Sequence, residues 1–225
     1  MSGKIEVEYI SHMGDDAEVC ADARVSHAAD RESNLRPGLI RYLHKDPVRP
    51  HWSPASHQMV KFRISAPLAI ARQLWKSHVG LCGGDEGWPA WNEVSLRYVD
   101  DGPEFYLPDT LRSRPDTGIK QGSGGPHPRG AEMRDYMAYA YGECERIYDL
   151  MIEKGVAPEQ ARFVLPLGTM TAWRWTGSLA AWGRVALLRQ DGRAQRETQE
   201  VAGVIAGHCR RLFPLTWAAM MGENR

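Results

Sequence analysis

The chain is poor in the features that would mark a secreted, membrane-spanning or metal-stapled protein. Its four cysteines, Cys20, Cys82, Cys144 and Cys209, stand far apart, with no CxxC pair and no histidine at ligand spacing. A disulfide framework or a thiolate zinc site is therefore not expected. It carries no net charge either, since Lys and Arg total 28 and Asp and Glu also total 28. That removes the bulk attraction by which a protein coats a nucleic acid polymer or an anionic membrane, so any bound anion must meet local arginines. No apolar run approaches the length of about 18 residues that a membrane helix needs, and the opening MSGKIEVEYISHMGDD has acids where a signal peptide would be apolar. The expectation is a soluble, cytoplasmic protein.

What is present suits a globular enzyme or binding protein. A content of 43% hydrophobic and 25% charged residues over 225 positions is enough to bury a sizeable core, and a single domain over 1–225 is expected. Eight tryptophans could stack on an aromatic ligand but more often such side chains fill a core.

Val60, Phe62, Ile64 and Ala66 alternate with period two, which predicts a strand over 58–66 running at Pro67 into a helix over about 67–78. Glycines at 80, 83, 84 and 87 predict a flexible loop from Val79 to Pro89, followed by a short extended segment in EVSLRY. Residues 109–130, with three prolines, five glycines and little apolar content, read as a surface loop or a partly disordered stretch, with His127 in a mobile part of it. Met133, Met137, Ala140, Cys144, Ile147 and Met151 then mark one face of a long helix ending near Gly155. Pro158 opens a short helix, and residues 178–189 and 194–212 repeat the helical period. The pattern is α+β, with a small sheet in the first half and helices dominating the second.

Arg97, Arg162 and Arg189 sit at element ends or beside loops. Their planar guanidinium groups suit phosphates and pyrimidine carbonyls, which accept paired hydrogen bonds, although pairing with surface carboxylates is the commoner use. His51 and His57 are six positions apart, a spacing that does not align on one helical face, and no metal is expected there.

Read in order, these segments resemble the flavin-dependent thymidylate synthase (ThyX) family. His51-Trp-Ser-Pro-Ala-Ser-His57 resembles that family's His-x-Ser/Thr-Pro-x-Glu-His element. ARQLWKSH and Trp91-Asn-Glu-Val-Ser-Leu-Arg-Tyr98 resemble its signature, an Arg-His-Arg triplet leading to Ser-x-Asn-Glu-x-Ser-x-Arg-Tyr. Ala161-Arg-Phe-Val-Leu-Pro-Leu167, followed by Thr171 and Trp175, and Leu188-Arg-Gln-Asp-Gly-Arg-Ala-Gln-Arg-Glu197 resemble later elements in order and spacing. The likeness covers roughly residues 20 to 220.

The resemblance implies a ThyX-like α+β fold with a small antiparallel sheet and a helix-rich second half. It also implies a homotetramer with active sites shared between chains. FAD, methylenetetrahydrofolate and NADPH would act there on dUMP or UMP. Gln73, Glu93, Ser95, Arg97, Arg162 and Arg189 correspond to the nucleotide-binding set, with Arg97 and Arg162 at the phosphate and Arg189 and Ser95 in catalytic positions. His51, Ser53, Lys76, His78, Asn92, Ser178, Arg189 and Arg193 correspond to the flavin contacts. No covalent nucleophile is implied, in keeping with the absence of cysteine from the signature.

The sequence also departs from the family. Lys76-Ser77-His78 replaces the Arg-His-Arg triplet, losing two bidentate groups. Thirteen residues separate His78 from Asn92 where the family has only a few, and this glycine-rich insertion is placed to act as a lid. Ser56 replaces a family glutamate, and Ser178 and Arg184 stand at asparagine positions. Three readings stay open at this point: thymidylate synthesis from dUMP, the same chemistry on UMP, and a non-catalytic nucleotide-binding or scaffold homologue that has lost the flavin site.

Overall fold

The computed structural model describes residues 3–25, 34–46, 49–77, 90–95, 102–116, 118 and 121–223. Four strands, β1 (Glu6–Met13), β2 (Met59–Pro67), β3 (Ala90–Glu93) and β4 (Met170–Ser178), form one antiparallel sheet in the order β1-β2-β4-β3. The helices are α1 (Asp16–Arg24), α2 (Pro37–Leu43), α3 (Ser53–Ser56), α4 (Leu68–Trp75), α5 (Gly130–Glu153), α6 (Pro158–Ala161), α7 (Leu179–Arg189), α8 (Arg196–Leu212) and α9 (Pro214–Met221). The architecture is α+β, and the second half is helix-rich as expected.

One correction concerns where the sheet comes from. Its interior strand β4 belongs to the second half of the chain, where no strand was expected. Thr171, Trp173 and Trp175 are buried on alternate positions while Arg174 is exposed, so the period of two was there. Tryptophans read mainly as core fillers concealed it.

The β2 alternation is confirmed: Val60, Phe62, Ile64 and Ala66 are all fully buried. In register, Phe62 opposes Trp175 and Ile64 opposes Trp173, so both strands give large side chains to one face. Trp182 of α7 closes over them, its ring centroid 5.2 Å from Phe62 and 4.9 Å from Trp175, while its Nε1 donates to the Val60 carbonyl at 3.2 Å. Each such side chain contributes about 1.5–3 kcal/mol through removal from water, which is why α7 and α8 hold their place over the sheet.

Pro67 ends β2 and caps α4, one residue before the helix begins, and α4 stops at Trp75. The extended segment expected in EVSLRY lies earlier, as β3 over Ala90–Glu93, and residues 96–98 are outside those described. The expected loop over 79–89 is likewise outside the described residues.

Residues 109–130 run over the surface as expected, but the described parts are ordered by pairing. Arg112 and Pro126 form a β-bridge, the Ser113 amide donates to the Gly125 carbonyl, the Gly124 amide to the Ser113 carbonyl, and the His127 amide to the Leu111 carbonyl. Residues 111–113 and 124–127 thus pair as the two arms of a hairpin, and His127 Nδ1 accepts from the Arg129 amide. Local composition gave no sign of it because its anchor is a distant carboxylate, described below. The long helix α5 ends at Glu153 near Gly155 as expected, yet Tyr148 is its one buried residue. Among the described residues no helix is long and apolar enough to cross a membrane.

Candidate active site

Three element ends converge beside the sheet: the C-terminal turn of α4, the last residue of α7 and the start of α8. They line a cleft of about 740 Å³ together with the 111–127 hairpin. Gln73, Arg189 and Arg193 from the expected site line it, as does Gln195.

Arg189, the final residue of α7, donates from Nε and Nη2 to Ser77 Oγ at 3.0 and 2.9 Å and from Nη2 to the Gln73 carbonyl at 3.1 Å. Both partners are neutral. Among the described residues Arg189 has no carboxylate partner, and burial lowers its pKa from the ordinary value. The other two arginines of the cleft are neutralised. Arg112 pairs with Glu197 at 3.1 Å, and Arg193 pairs with Asp191 at 2.9 Å. The hydrogen bonds from Arg193 hold the Asp191 carboxyl down to about 2.

Gln73 is held at both ends of its amide. Its Nε2 donates to Gln195 Oε1, and its Oε1 accepts from Thr198 Oγ1 at 3.0 Å. The cleft therefore combines one uncompensated guanidinium with a row of fixed amides.

The remaining expected residues lie elsewhere. Glu93, Ser95 and Arg162 line a second cavity of about 400 Å³ with Thr169 and Thr171. There Thr171 Oγ1 donates to Glu93 Oε1 at 2.8 Å and Trp91 Nε1 donates to Glu93 Oε2 at 3.0 Å, fixing the carboxylate. Arg162 is tied only weakly, through Nε to the Glu159 carbonyl at 3.3 Å. Lys76 lines a third cavity of about 270 Å³ with Trp75, Trp91 and Glu93.

His51 is exposed beside Tyr42, ring centroids 6.2 Å apart, and Ser53 is exposed at the start of α3. Asn92 is exposed on β3. Ser178 is buried, and its Oγ caps α7 by accepting from the Ala181 amide at 3.2 Å. Arg97 and His78 lie outside the described residues.

Sequence reading missed Arg112, Ser123 and Thr198, and gave Glu197 no role although its motif was noticed. Ser77 was read only as a lost family histidine; here its hydroxyl is the acceptor that seats Arg189. None of these partners is close in sequence, so local spacing carried no signal.

Fold and cleft together define an α+β protein with a recess that brings a guanidinium and two side-chain amides together. The family model described as thymidylate synthase complementing protein matches residues 8–215, and the chain belongs to that family. It is 29% identical over 224 residues to a flavin-dependent thymidylate synthase of Thermosipho africanus, covering 94% of this chain and 89% of the relative. A flavin-dependent thymidylate synthase of Thermus thermophilus is 33% identical over 217 residues, covering 95% and 74%. Among solved structures, the chain is similar to the UMP/dUMP methylase PolB from Streptomyces cacaoi bound with 5-Br dUMP. That match has a TM-score of 0.84 at 29% identity and covers 98% of this chain and 96% of that one. The same methylase bound with 5-Br UMP gives a TM-score of 0.81 at 28% identity, covering 99% and 95%. The chain is an enzyme of this family.

Proposed function

We propose that the chain methylates C5 of a uridine monophosphate nucleotide, dUMP and/or UMP, with FAD, methylenetetrahydrofolate and NADPH as its cofactors. The observation that carries this reading is Arg189, a cation seated by neutral acceptors in the large cleft among fixed amides. The volume of that cleft falls in the range of small-molecule sites. Guanidinium and amide N–H groups suit the carbonyl edges of uracil and of flavin alike, so the residues present fit both. Bound FAD would supply hydride, recharged by NADPH, while the folate supplies carbon.

The side chains do the holding. Arg189, with Gln73, places positive charge and donors where negative charge develops on a pyrimidine carbonyl. Arg162 and Arg97 hold the phosphate, and Ser95 and Glu93 position the nucleotide beside them. Arg193, Lys76, His78, Asn92, His51 and Ser53 contact the flavin. Ser178 acts through the start of α7, which it caps.

A homotetramer with shared active sites belongs to the same proposal. Among the described residues the cleft of Arg189 and the cavity of Arg162 share no lining residue, which is in keeping with sites completed by a second chain. The face of α5 that leaves Tyr136 62% and Tyr139 72% exposed supports the same reading.

The test is an absorbance spectrum of purified protein with FAD supplied, followed by turnover of dUMP and UMP with the folate and NADPH. A bound-flavin spectrum and a C5-methylated product are expected, and the ratio of rates assigns the nucleotide. Absence of both flavin binding and product would overturn the reading.

A further inference from the structure

Thr198 lies in the first turn of α8 and is completely buried. A buried hydroxyl must place its hydrogen on an acceptor or lose a bond that water would have made. Among the described residues the acceptor it has is Gln73 Oε1, at 3.0 Å. That contact decides which way the Gln73 amide is turned. With oxygen toward Thr198, its nitrogen faces Gln195 and donates to Oε1 there. Gln195 is turned in consequence, with its own oxygen toward Gln73 and its NH2 left over.

The chain of bonds has a direction, from Thr198 to Gln73 to Gln195. Reversing both amides would leave the Thr198 hydrogen without an acceptor among the described residues, so the buried hydroxyl selects one of two otherwise equivalent arrangements. Both amide oxygens are engaged within the protein. What these three side chains have left for a ligand is N–H: the second hydrogen of Gln73 Nε2, the NH2 of Gln195 and the guanidinium of Arg189, while the cleft's carboxylates, Asp191 and Glu197, are engaged by Arg193 and Arg112.

We propose that Thr198 is a positioning residue that sets the floor of the cleft to donor polarity, selecting a pyrimidinedione carbonyl edge and rejecting an amino group at that edge. This deepens the proposed function and rests on it. Two ligands of that reaction carry a pyrimidinedione: the uracil of the nucleotide and the dione ring of the flavin. Their shared chemistry is two ring carbonyls, and cytosine differs from uracil by an amino group in place of one of them. A donor facing that amino group leaves both unpaired, and discrimination built on unpaired buried polar groups is steep.

The experiment titrates dUMP, UMP, dCMP and FAD separately against the parent and against Thr198→Val, Thr198→Ala and Thr198→Ser, by calorimetry. Valine keeps the shape and removes the hydroxyl; alanine only deletes atoms and carries the test should valine not fold; serine restores the donor. Loss of the donor is expected to weaken one pyrimidinedione ligand by about tenfold in Thr198→Val and Thr198→Ala, with Thr198→Ser close to the parent. If uracil is the ligand concerned, dUMP and UMP weaken and the preference for dUMP over dCMP narrows. If the flavin is, FAD alone weakens. Either result supports the proposal and identifies the ring. Unchanged affinities in both hydroxyl-free variants, with a parent that binds, would overturn the role of Thr198 and leave the proposed function standing. An equal loss in Thr198→Ser would also overturn it, since volume and not the hydroxyl would then matter. A parent that binds neither uridine nucleotide nor FAD would overturn both.

Discussion

Arg112 reaches across 85 positions of sequence to donate from Nη2 to both carboxylate oxygens of Glu197, each at 3.1 Å, while its Nε donates to Ser123 Oγ at 2.7 Å. One side chain thus ties the 111–127 hairpin to itself and to the start of α8. The Glu197 side chain is 8% exposed and that of Arg112 24%, so the pair is shielded without being dry. Removing a partner of a buried pair costs about 3–5 kcal/mol, and the partial exposure of Arg112 puts Arg112→Met below that range, at about 2–3 kcal/mol. Urea unfolding measures it directly. A loss below about 0.5 kcal/mol would mean that the pair is an ordinary surface contact.

Gly122 is the second anchor of that hairpin. Its φ is +83°, and a Cβ there would meet the Arg193 carbonyl at 3.2 Å. Gly122→Ala therefore meets both a left-handed backbone and a close backbone neighbour, and should cost about 1–2 kcal/mol. Gly125, where an added Cβ would meet nothing within 4 Å, is the control. Equal thermal midpoints for Gly122→Ala and Gly125→Ala would remove the hairpin contact with Arg193 as an explanation.

Among the described residues Arg162 has a single weak partner, the Glu159 carbonyl, which leaves most of its guanidinium donors for a ligand. Arg162→Ala should weaken binding of a uridine monophosphate nucleotide by on the order of 2 kcal/mol or more, while leaving the uncharged nucleoside little affected. Nucleotide and nucleoside titrations read the difference. An unchanged nucleotide affinity would take Arg162 out of the phosphate site.

His44 gives a pH dependence with a definite sign. Burial lowers its pKa, the Ile40 carbonyl bonded to Nδ1 at 3.1 Å opposes that shift, and nearby His51 adds to it. The unfolded chain, with an imidazole near the ordinary 6.5, binds the proton more readily than the folded one. Stability should therefore be present above about pH 6.5 and be lost as pH falls through and below it. His208 is lowered in the same direction, by burial and then by Arg211, and contributes with the same sign. Denaturant unfolding of the parent and of His44→Leu from pH 8 to pH 5 separates the two. A smaller acid loss in His44→Leu is expected, and parallel curves would assign the dependence to His208 and the carboxylates.

Some elements were legible because their signal is local. The alternation in Val60, Phe62, Ile64 and Ala66 specifies a half-buried strand whatever lies against it, and the proline at 67 breaks that pattern just where α4 begins. The order and spacing of the motifs from His51 to Glu197 pointed to the family before any contact was known. Gln73, Arg189 and Arg193 were placed in one site by those motifs and do line one cleft.

What tertiary structure alone decided is pairing across distance. It set β4 between β2 and β3, turned a glycine- and proline-rich stretch into a hairpin through Arg112 and Glu197, and made Ser77 the seat of Arg189. It also placed Arg162 and Arg189 in separate recesses of the chain. The physical reason is range. Periodicity and turn chemistry act over a few residues and are written in the local sequence. A hydrogen bond such as that from Thr198 to Gln73 joins residues 125 positions apart, and its direction exists only once folding has excluded the water that would otherwise satisfy both.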